Sequence, residues 1–333
     1  MSDAQTVSSL AQHVRPFDAG AYVTAAAFIG EVPALALADG VTLLGELGEQ
    51  KRIVTHRDAA ILISVTDGKT LLTGGDDGRV VALGADGVPH EIANERGRWI
   101  DALALRGQAY AWSAGKKVSA RDEAGAVKTW SAPTTARGLA FQPKGYRVAA
   151  THYNGASLWF PNVEGAPQTL EWKGAHLDAT FSPDGRFLVT SMQENALHGW
   201  RLADSRNMRM TGYPGKTRSF SWSHDGAWLA TSGADTAIAW PFKDKDGPMG
   251  QAPRECGVRG ARVTKVAFHP RALIVAVGYS DGFVLLCRLA DAAEIFVRAE
   301  GAGAISALSW DATGARLLFG SESGEAGLLI LPT

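Results

Sequence analysis

One stretch of the chain, residues 177–200, limits what the whole sequence can fold into. It reads LDATFSPDGRFLVTSMQENALHGW and holds three short runs of alternating apolar and polar residues. The runs are separated by Pro183-Asp184-Gly185 and by Gln193-Glu194-Asn195. Alternation with period two is typical of strands that bury one face, and Pro, Asp, Gly and Asn favour tight turns. The stretch therefore predicts a three-stranded antiparallel meander, which cannot bury both of its faces alone.

This pattern recurs along the chain. The turn between the first two strands returns as Ser-Pro-Asp-Gly at 182–185 and as Ser-His-Asp-Gly at 223–226. The residue that ends the first strand recurs at intervals of 36 to 46 residues. These anchor residues are Phe28, Val65, Leu105, Phe141, Phe181, Trp222, Phe268 and Trp310. A repeat of this length has room for a fourth strand, so the sequence predicts an all-β, closed β-propeller of four-stranded antiparallel blades.

The eight anchors predict eight blades. Seven is the alternative if the first repeat, which lacks the usual turn and a closing Trp, is not a full blade. Residues 7–17 read as a spare strand, whereas residues 304–332 supply three strands and then end. We expect the amino-terminal strand to complete the last blade and so close the ring. Residues 1–6 are expected to form a flexible tail, and residues 7–333 a single domain.

The repeat resembles that of the WD-repeat family of β-propellers. Members of this family often carry a His before the first strand, a Ser or Thr on the second, an Asp in the next turn and a Trp on the third. The resemblance implies that these side chains form a hydrogen-bonded structural network. The matching positions are His56, Thr73 and Asp77 in the second repeat, His176, Thr190, Glu194 and Trp200 in the fifth, and Asp281 in the seventh. Glu194 stands where the family usually has Asp, and Cys287 occupies the Trp position of the seventh repeat.

Tryptophans at strand ends are expected to pack between blades. Five of them end first or third strands, namely Trp159, Trp200, Trp222, Trp240 and Trp310. Trp99 is different, because it precedes a first strand, where exposure at the face of the ring is expected. The longest interval follows Trp240, and residues 241–253 there read either as a tolerated surface insertion or as a partner-binding loop.

Charge and cysteine content exclude several classes of protein. A net charge of −1 argues against generic attraction to nucleic acid or to an anionic membrane. Cys256 and Cys287 are not in a Cys-x-x-Cys pair, so we expect free thiols. The amino terminus lacks a basic start followed by an apolar run, and no stretch reaches about 18 apolar residues. These features predict a soluble cytoplasmic protein.

The sequence carries no recognisable catalytic or metal-binding motif. Its eight histidines are scattered and never occur at metal-ligand spacing. The segment Gly320-Ser-Glu-Ser-Gly324 has a shifted spacing for a hydrolase elbow and lies in a turn between strands. A Gly-rich loop that precedes a helix is also lacking. We therefore predict no catalytic residue, no cofactor and no metal.

One group of arginine and aromatic residues suggests a binding surface. An Arg lies at or just before several first strands, where it would border one mouth of the central channel. Turns between second and third strands should lie on the same face. The predicted partner-binding face comprises Arg57, Arg98, Trp99, Arg137, Tyr153, Gln193, Arg218, Arg262 and Tyr279. Arginine and aromatic anchors dominate interface energies, although the arginines could also be independent solvated side chains.

The resemblance implies a non-catalytic scaffold that presents this face to a protein or peptide partner. The arginines suggest an acidic partner, and we expect the isolated chain to be a monomer. An alternative is a small-ligand-binding or enzymatic propeller, which would need ionisable residues clustered inside the channel. A third reading is an accessory to a metal-handling or nucleotide-dependent partner protein.

Overall fold

The computed structural model describes residues 8–332, so the tail expected at residues 1–6 lies outside the described residues. The described chain is built of strands, with one short 3₁₀ helix at Ala11–His13. The strands are β1 (Ser8–Ser9), β2 (Val14–Asp18), β3 (Val23–Ile29), β4 (Val32–Leu37), β5 (Val41–Leu44), β6 (Lys51–Val54), β7 (Ile61–Thr66), β8 (Leu71–Gly75), β9 (Arg79–Leu83), β10 (Pro89–Asn94), β11 (Ala102–Arg106), β12 (Ala109–Ala114), β13 (Lys117–Arg121), β14 (Val127–Ser131), β15 (Leu139–Phe141), β16 (Val148–Trp159), β17 (Gln168–Phe181), β18 (Phe187–Met192), β19 (Leu197–Arg201), β20 (Arg206–Met210), β21 (Phe220–Trp222), β22 (Trp228–Thr231), β23 (Ala237–Pro241), β24 (Arg254–Cys256), β25 (Val263–Phe268), β26 (Ile274–Tyr279), β27 (Val284–Arg288), β28 (Ala293–Arg298), β29 (Ile305–Trp310), β30 (Arg316–Ser321) and β31 (Glu325–Ile330).

These strands form seven hydrogen-bonded sheets. Five sheets follow chain order, namely β3 to β6, β7 to β10, β11 to β14, β21 to β24 and β25 to β28, the last with β1 added at its outer edge. A sixth sheet combines β29, β30 and β31 with β2, and the seventh holds the six strands β15 to β20. Apart from the short parallel pair of β1 and β28, neighbouring strands are antiparallel.

The prediction of eight separate blades is wrong, because the fourth and fifth repeats share the six-stranded sheet. Strand β16 turns at Asn154 and Gly155, which both have positive φ, so its two halves pair with β15 and with β17. Strand β17 then pairs with β16 through its first part and with β18 through His176–Phe181. The seven sheets thus contain the eight sequence repeats. The first repeat, whose irregular sequence suggested the alternative count, is a complete sheet of four strands.

The first strand of each repeat lines a central channel. Strands β3, β7, β11, β15, β17, β21, β25 and β29 supply residues to its wall. The circle closes where β29 meets β3, and there the Ser306 hydroxyl donates a hydrogen bond to the Val23 carbonyl over 2.6 Å.

The amino-terminal strand completes the last sheet, in agreement with the sequence analysis. Strand β2 pairs antiparallel with β31, from Val14 opposite Leu329 to Asp18 opposite Glu325. This pairing covers the edge of β31, which would otherwise expose a row of unpaired backbone groups.

Apolar side chains fill the spaces between neighbouring sheets, so middle strands such as β8, β12 and β18 are buried on both faces. Trp200 is almost completely buried, and Trp159 and Trp240 are also buried. Trp222 and Trp310 are only half-buried, and each bridges two repeats through its indole N–H. The Trp222 indole donates to Thr180 Oγ1 over 2.9 Å, and that of Trp310 donates to the Ala267 carbonyl over 3.2 Å.

The enlarged loop at residues 241–253 is held against the fifth repeat. Arg186 donates to the carbonyl of Phe242 over 3.1 Å, and Arg201 forms an ion pair of 2.5 Å with Asp246. The loop therefore ties the fifth repeat to the sixth, so the structure gives this insertion a bridging role.

Deletion of residues 1–18 removes β2 and tests ring closure. We expect the melting temperature to fall by more than about 5 °C, because β31 loses its neighbour and the last sheet exposes its edge. Thermal unfolding followed by circular dichroism measures the change, with a deletion of residues 1–7 as the control. Equal melting temperatures for the two deletions would contradict closure by β2.

Replacing Trp200 by Ala tests packing between sheets. The large cavity left behind should lower the free energy of unfolding by roughly 3–5 kcal/mol. Trp99→Ala is the matched control, since this indole is 65% exposed and its removal should change stability by no more than about 0.5 kcal/mol. Denaturant unfolding of both variants provides the comparison, and similar losses would argue against the assigned burial.

Candidate functional site

The channel opens on the face where the first strands begin. Because consecutive strands are antiparallel, this face also carries the turns between second and third strands; we call it the mouth face. A continuous cavity extends from it into the channel in two parts, of about 820 and 1110 Å³. The two parts share the wall residues Thr24, Leu62, Lys216, Arg218 and Lys265.

Five of the nine predicted face residues come together at this cavity. Arg137, Tyr153, Gln193 and Arg218 line its larger part. Arg262 lines the smaller part, where Arg218 is again in the wall. Tyr153 is 58% exposed, so its ring is available for contact.

The other predicted residues are placed differently. Arg98 and the exposed Trp99 line a separate open depression together with Asp101. Arg57 is exposed in the loop before β7 and lines none of these hollows. Tyr279 is a correction, because it is completely buried and its hydroxyl donates to the carbonyl of Gly257. It is the last residue of β26, and the strand alternation turns its ring into the core before the exposed turn begins.

The mouth arginines differ in their partners. Arg137 lies 3.9 Å from Asp101, which is a weak and exposed pair. Within residues 8–332, no carboxylate lies within 4.0 Å of the Arg218 or Arg262 guanidinium. Both guanidinium groups therefore line the cavity without a carboxylate close enough to pair with them.

Sequence reasoning missed two charged residues inside the channel, Asp178 and Lys265. Each stands three residues before an anchor, Phe181 or Phe268, and the other six repeats have uncharged residues at this position. Alignment of the repeats would have revealed them. Both line the channel, where Asp178 is exposed to the channel interior and Lys265 is half-buried; partial desolvation by the surrounding wall raises the pKa of Asp178 and lowers the pKa of Lys265. The opposite charge of each partly offsets the shift of the other.

The second repeat contains a network like the one that the resemblance implies. The Asp77 carboxylate accepts a hydrogen bond from His56 Nδ1 over 3.0 Å, and His56 Nε2 lies 2.9 Å from Thr73 Oγ1. Burial lowers the pKa of His56, although the Asp77 carboxylate opposes this shift. The network holds the loop before β7 against the turn that follows β8.

The fifth and seventh repeats are built differently. His176 lies 2.7 Å from Thr190 Oγ1 and donates from Nε2 to the Trp172 carbonyl over 3.1 Å. The longer Glu194 accepts from the backbone N–H of Ala175 over 3.2 Å and makes no bond to His176. Trp200 packs its ring against the imidazole of His176, with centroids 5.5 Å apart. In the seventh repeat, Asp281 accepts from the backbone N–H of Phe283 over 3.1 Å.

His198 adds a second buried imidazole to the fifth repeat. It stacks on Trp172 with centroids 4.1 Å apart, and its Nε2 lies 2.8 Å from Asn207 Oδ1. Burial lowers the pKa of His198 to about 4. The nearby charges of His176 and Arg209 act in the same direction, whereas the bond to Asn207 opposes them.

Residues 8–332 contain neither a membrane-spanning helix nor a cluster of metal ligands. Across residues 8–332 there is no helix of the length and apolar character needed to cross a membrane. In the same part of the chain, no three His, Cys, Asp or Glu side chains are grouped so that they could hold a metal ion.

Comparisons with known proteins point to one family. The profile of the family described as WD domain, G-beta repeat matches residues 206–239. WD repeat-containing protein 1-B from Xenopus laevis is 34% identical over 82 residues, which is 24% of this chain. The chain is a β-propeller, and these stretches of it are similar to WD-repeat proteins. The alignment covers only 14% of the Xenopus protein's own length.

A solved structure agrees with the propeller over nearly its whole length. The crystal structure of the computationally designed Ika8 protein matches this chain with a TM-score of 0.78. The match covers 94% of this chain and 98% of the designed one, at 16% sequence identity. At this identity the similarity shows the fold alone.

Acid titration tests the buried histidine of the fifth repeat. In the unfolded chain His198 should titrate near its ordinary pKa of about 6.5. Between this pH and about 4, the unfolded state therefore binds a proton on His198 that the folded state does not bind. Stability should therefore fall as the pH drops through this window, by up to about 3 kcal/mol from this residue. His198→Phe keeps the stacked ring but cannot titrate, and its stability should depend less steeply on pH. Denaturant unfolding at several pH values measures both slopes; identical slopes would contradict the assignment.

Proposed function

We propose that this β-propeller is a member of the WD-repeat family and a non-catalytic scaffold that presents its mouth face to an acidic protein or peptide partner. The observation that carries the proposal is the gathering of Arg137, Arg218 and Arg262 around one channel mouth, beside the exposed ring of Tyr153. Arginine and tyrosine are among the side chains that contribute most to binding energy in protein interfaces.

The charges of the mouth support an acidic partner. Arg218 and Arg262 have no carboxylate partner within residues 8–332, and Arg137 has only a distant one at 3.9 Å. An acidic segment would supply the missing negative charge and would be steered to the face during association. The exposed Trp99 lies in a neighbouring depression and would extend the contact area.

The closed ring supports the scaffold role. The loops of the mouth face are anchored to rigid strands, as at Arg218 and Arg262, whose backbone N–H groups each donate to a serine hydroxyl over 3.2 Å. A surface held in this way loses little conformational entropy when a partner binds. We further propose that the chain acts in the cytoplasm as a monomer and that it does not bind nucleic acid.

A small-ligand site in the channel is the second candidate function. The observation that favours it is the presence of Asp178 and Lys265 inside the channel, in a cavity continuous with the mouth. The third reading, an accessory to a metal-handling or nucleotide-dependent partner, has no structural observation in its favour.

Affinity purification from the source organism's lysate tests the scaffold proposal. The wild-type chain is compared with an Arg137→Glu, Arg218→Glu double variant, and retained proteins are identified by mass spectrometry. The matched control is Lys144→Glu with Arg271→Glu, because both residues are exposed in turns on the opposite face and the change in net charge is the same.

We expect the mouth variant to lose the partner and the control variant to retain it. Circular dichroism and melting temperature verify that both variants are folded. A partner that is retained by the mouth variant, or is lost equally from both variants, would contradict the proposal.

A further inference from the structure

The smaller part of the cavity is strongly cationic. Its charged wall residues are four cations, Lys216, Arg218, Arg262 and Lys265, and a single carboxylate, Glu322. The whole chain has a net charge of −1, so this excess does not follow from the composition. Focusing of like charges in a concave site with protein walls attracts ions of opposite charge.

Within the described chain these four cations lack a close carboxylate partner, but Asp178 attracts Lys265 at longer range. Over residues 8–332, none of them has a carboxylate oxygen within 4.0 Å. Burial lowers the pKa of Lys265, the negative charge of Asp178 opposes this shift, and the positive charge of Arg218 adds to it. The cations therefore lie close enough to repel one another, and an anion among them would relieve this repulsion.

The backbone positions the two arginines in the same way. The N–H of Arg218 donates to Ser232 Oγ and that of Arg262 donates to Ser280 Oγ, so the start of each first strand is fixed. The guanidinium of Arg262 lies over Gly215, where a Cβ atom would come within 3.2 Å of Arg262 Cζ. The glycine thus leaves room for the guanidinium at the rim of the cavity.

Other polar groups in the wall are already engaged. The Ser306 hydroxyl donates to the Val23 carbonyl, and the Thr264 hydroxyl donates to the Ile305 carbonyl over 2.6 Å. The phenol of Tyr22 remains protonated at neutral pH, because burial and the carboxylate of Glu322 raise its pKa. The donors that are available to a ligand are therefore the four cations and the Tyr22 hydroxyl.

We propose that this cavity binds a small, multiply charged anion of the phosphate type. Two guanidinium groups offer planar pairs of donors that match phosphate oxygens, and two ammonium groups add point charges, Lys216 at the mouth and Lys265 inside the channel. A volume of about 820 Å³ is in the range of small-molecule sites. The ligand is a free small molecule, so this proposal does not depend on the protein partner proposed above.

Isothermal titration of the full chain with inorganic tripolyphosphate at low ionic strength tests this site. We expect saturable binding with one anion per chain, weakened by added salt. Arg262→Gln and Lys265→Met should each lower the affinity by about 10-fold or more. Arg271→Gln, in the exposed turn that follows β25, is the matched control and should bind like the wild type.

Three results would overturn the proposal. They are the absence of saturable binding, an equal loss in the Arg271→Gln variant, and wild-type affinity in both cavity variants. Melting temperatures of all variants show whether a loss comes from unfolding. Because no partner is present in this titration, its failure leaves the scaffold proposal to be decided by the affinity purification alone.

Discussion

Closure of the ring is the constraint on which the rest of this structure depends. A four-stranded sheet with two apolar faces is stable only when neighbours cover both of them. The chain meets this requirement by arranging its sheets in a circle and pairing β2 with β31, so that the last sheet includes the amino-terminal strand. Ser306 on β29 bonds to Val23 on β3 at the seam. The channel, its mouth and the face around it exist because this circle closes.

The repeat also explains how a chain with almost no net charge builds a cationic cavity. Each repeat places the same position of its first strand on the channel wall, and most repeats fill that position with a small or apolar residue. Two charged residues break the pattern, Asp178 in β17 and Lys265 in β25, and arginines additionally precede β21 and β25 at the mouth. Since the register is fixed by the core, these changes cost little packing. The repeated strands thus form a rigid channel wall, and a few charged residues at repeat positions that are elsewhere uncharged give this wall its binding properties.

Much of this architecture could be predicted from the sequence, because turn residues and alternating apolar residues are local signals. The spacing of anchors such as Phe181 predicted the propeller and the closing role of the amino-terminal strand. Fusion of the fourth and fifth repeats was not predictable, since it depends on β17, which continues through Gly174 from its pairing with β16 to its pairing with β18. Tyr279 was wrongly predicted to lie in an exposed turn, because it is the last residue of β26. A difference of one residue between strand end and turn decides whether its ring is buried. Lys265 was missed because its position matters only when repeats are aligned.

Cross-linking mass spectrometry of a captured complex tests most directly whether the mouth is the working face. Lysines, which amine-reactive cross-linkers modify, lie on both faces of the ring. Lys116 and Lys216 lie on the mouth face, whereas Lys144 and the exposed Lys243 lie in turns and loops of the opposite face. The structure predicts that cross-links to the partner will concentrate at the first pair. A partner cross-linked mainly through Lys144 and Lys243 would show that the opposite face, and not the mouth face, is the working face.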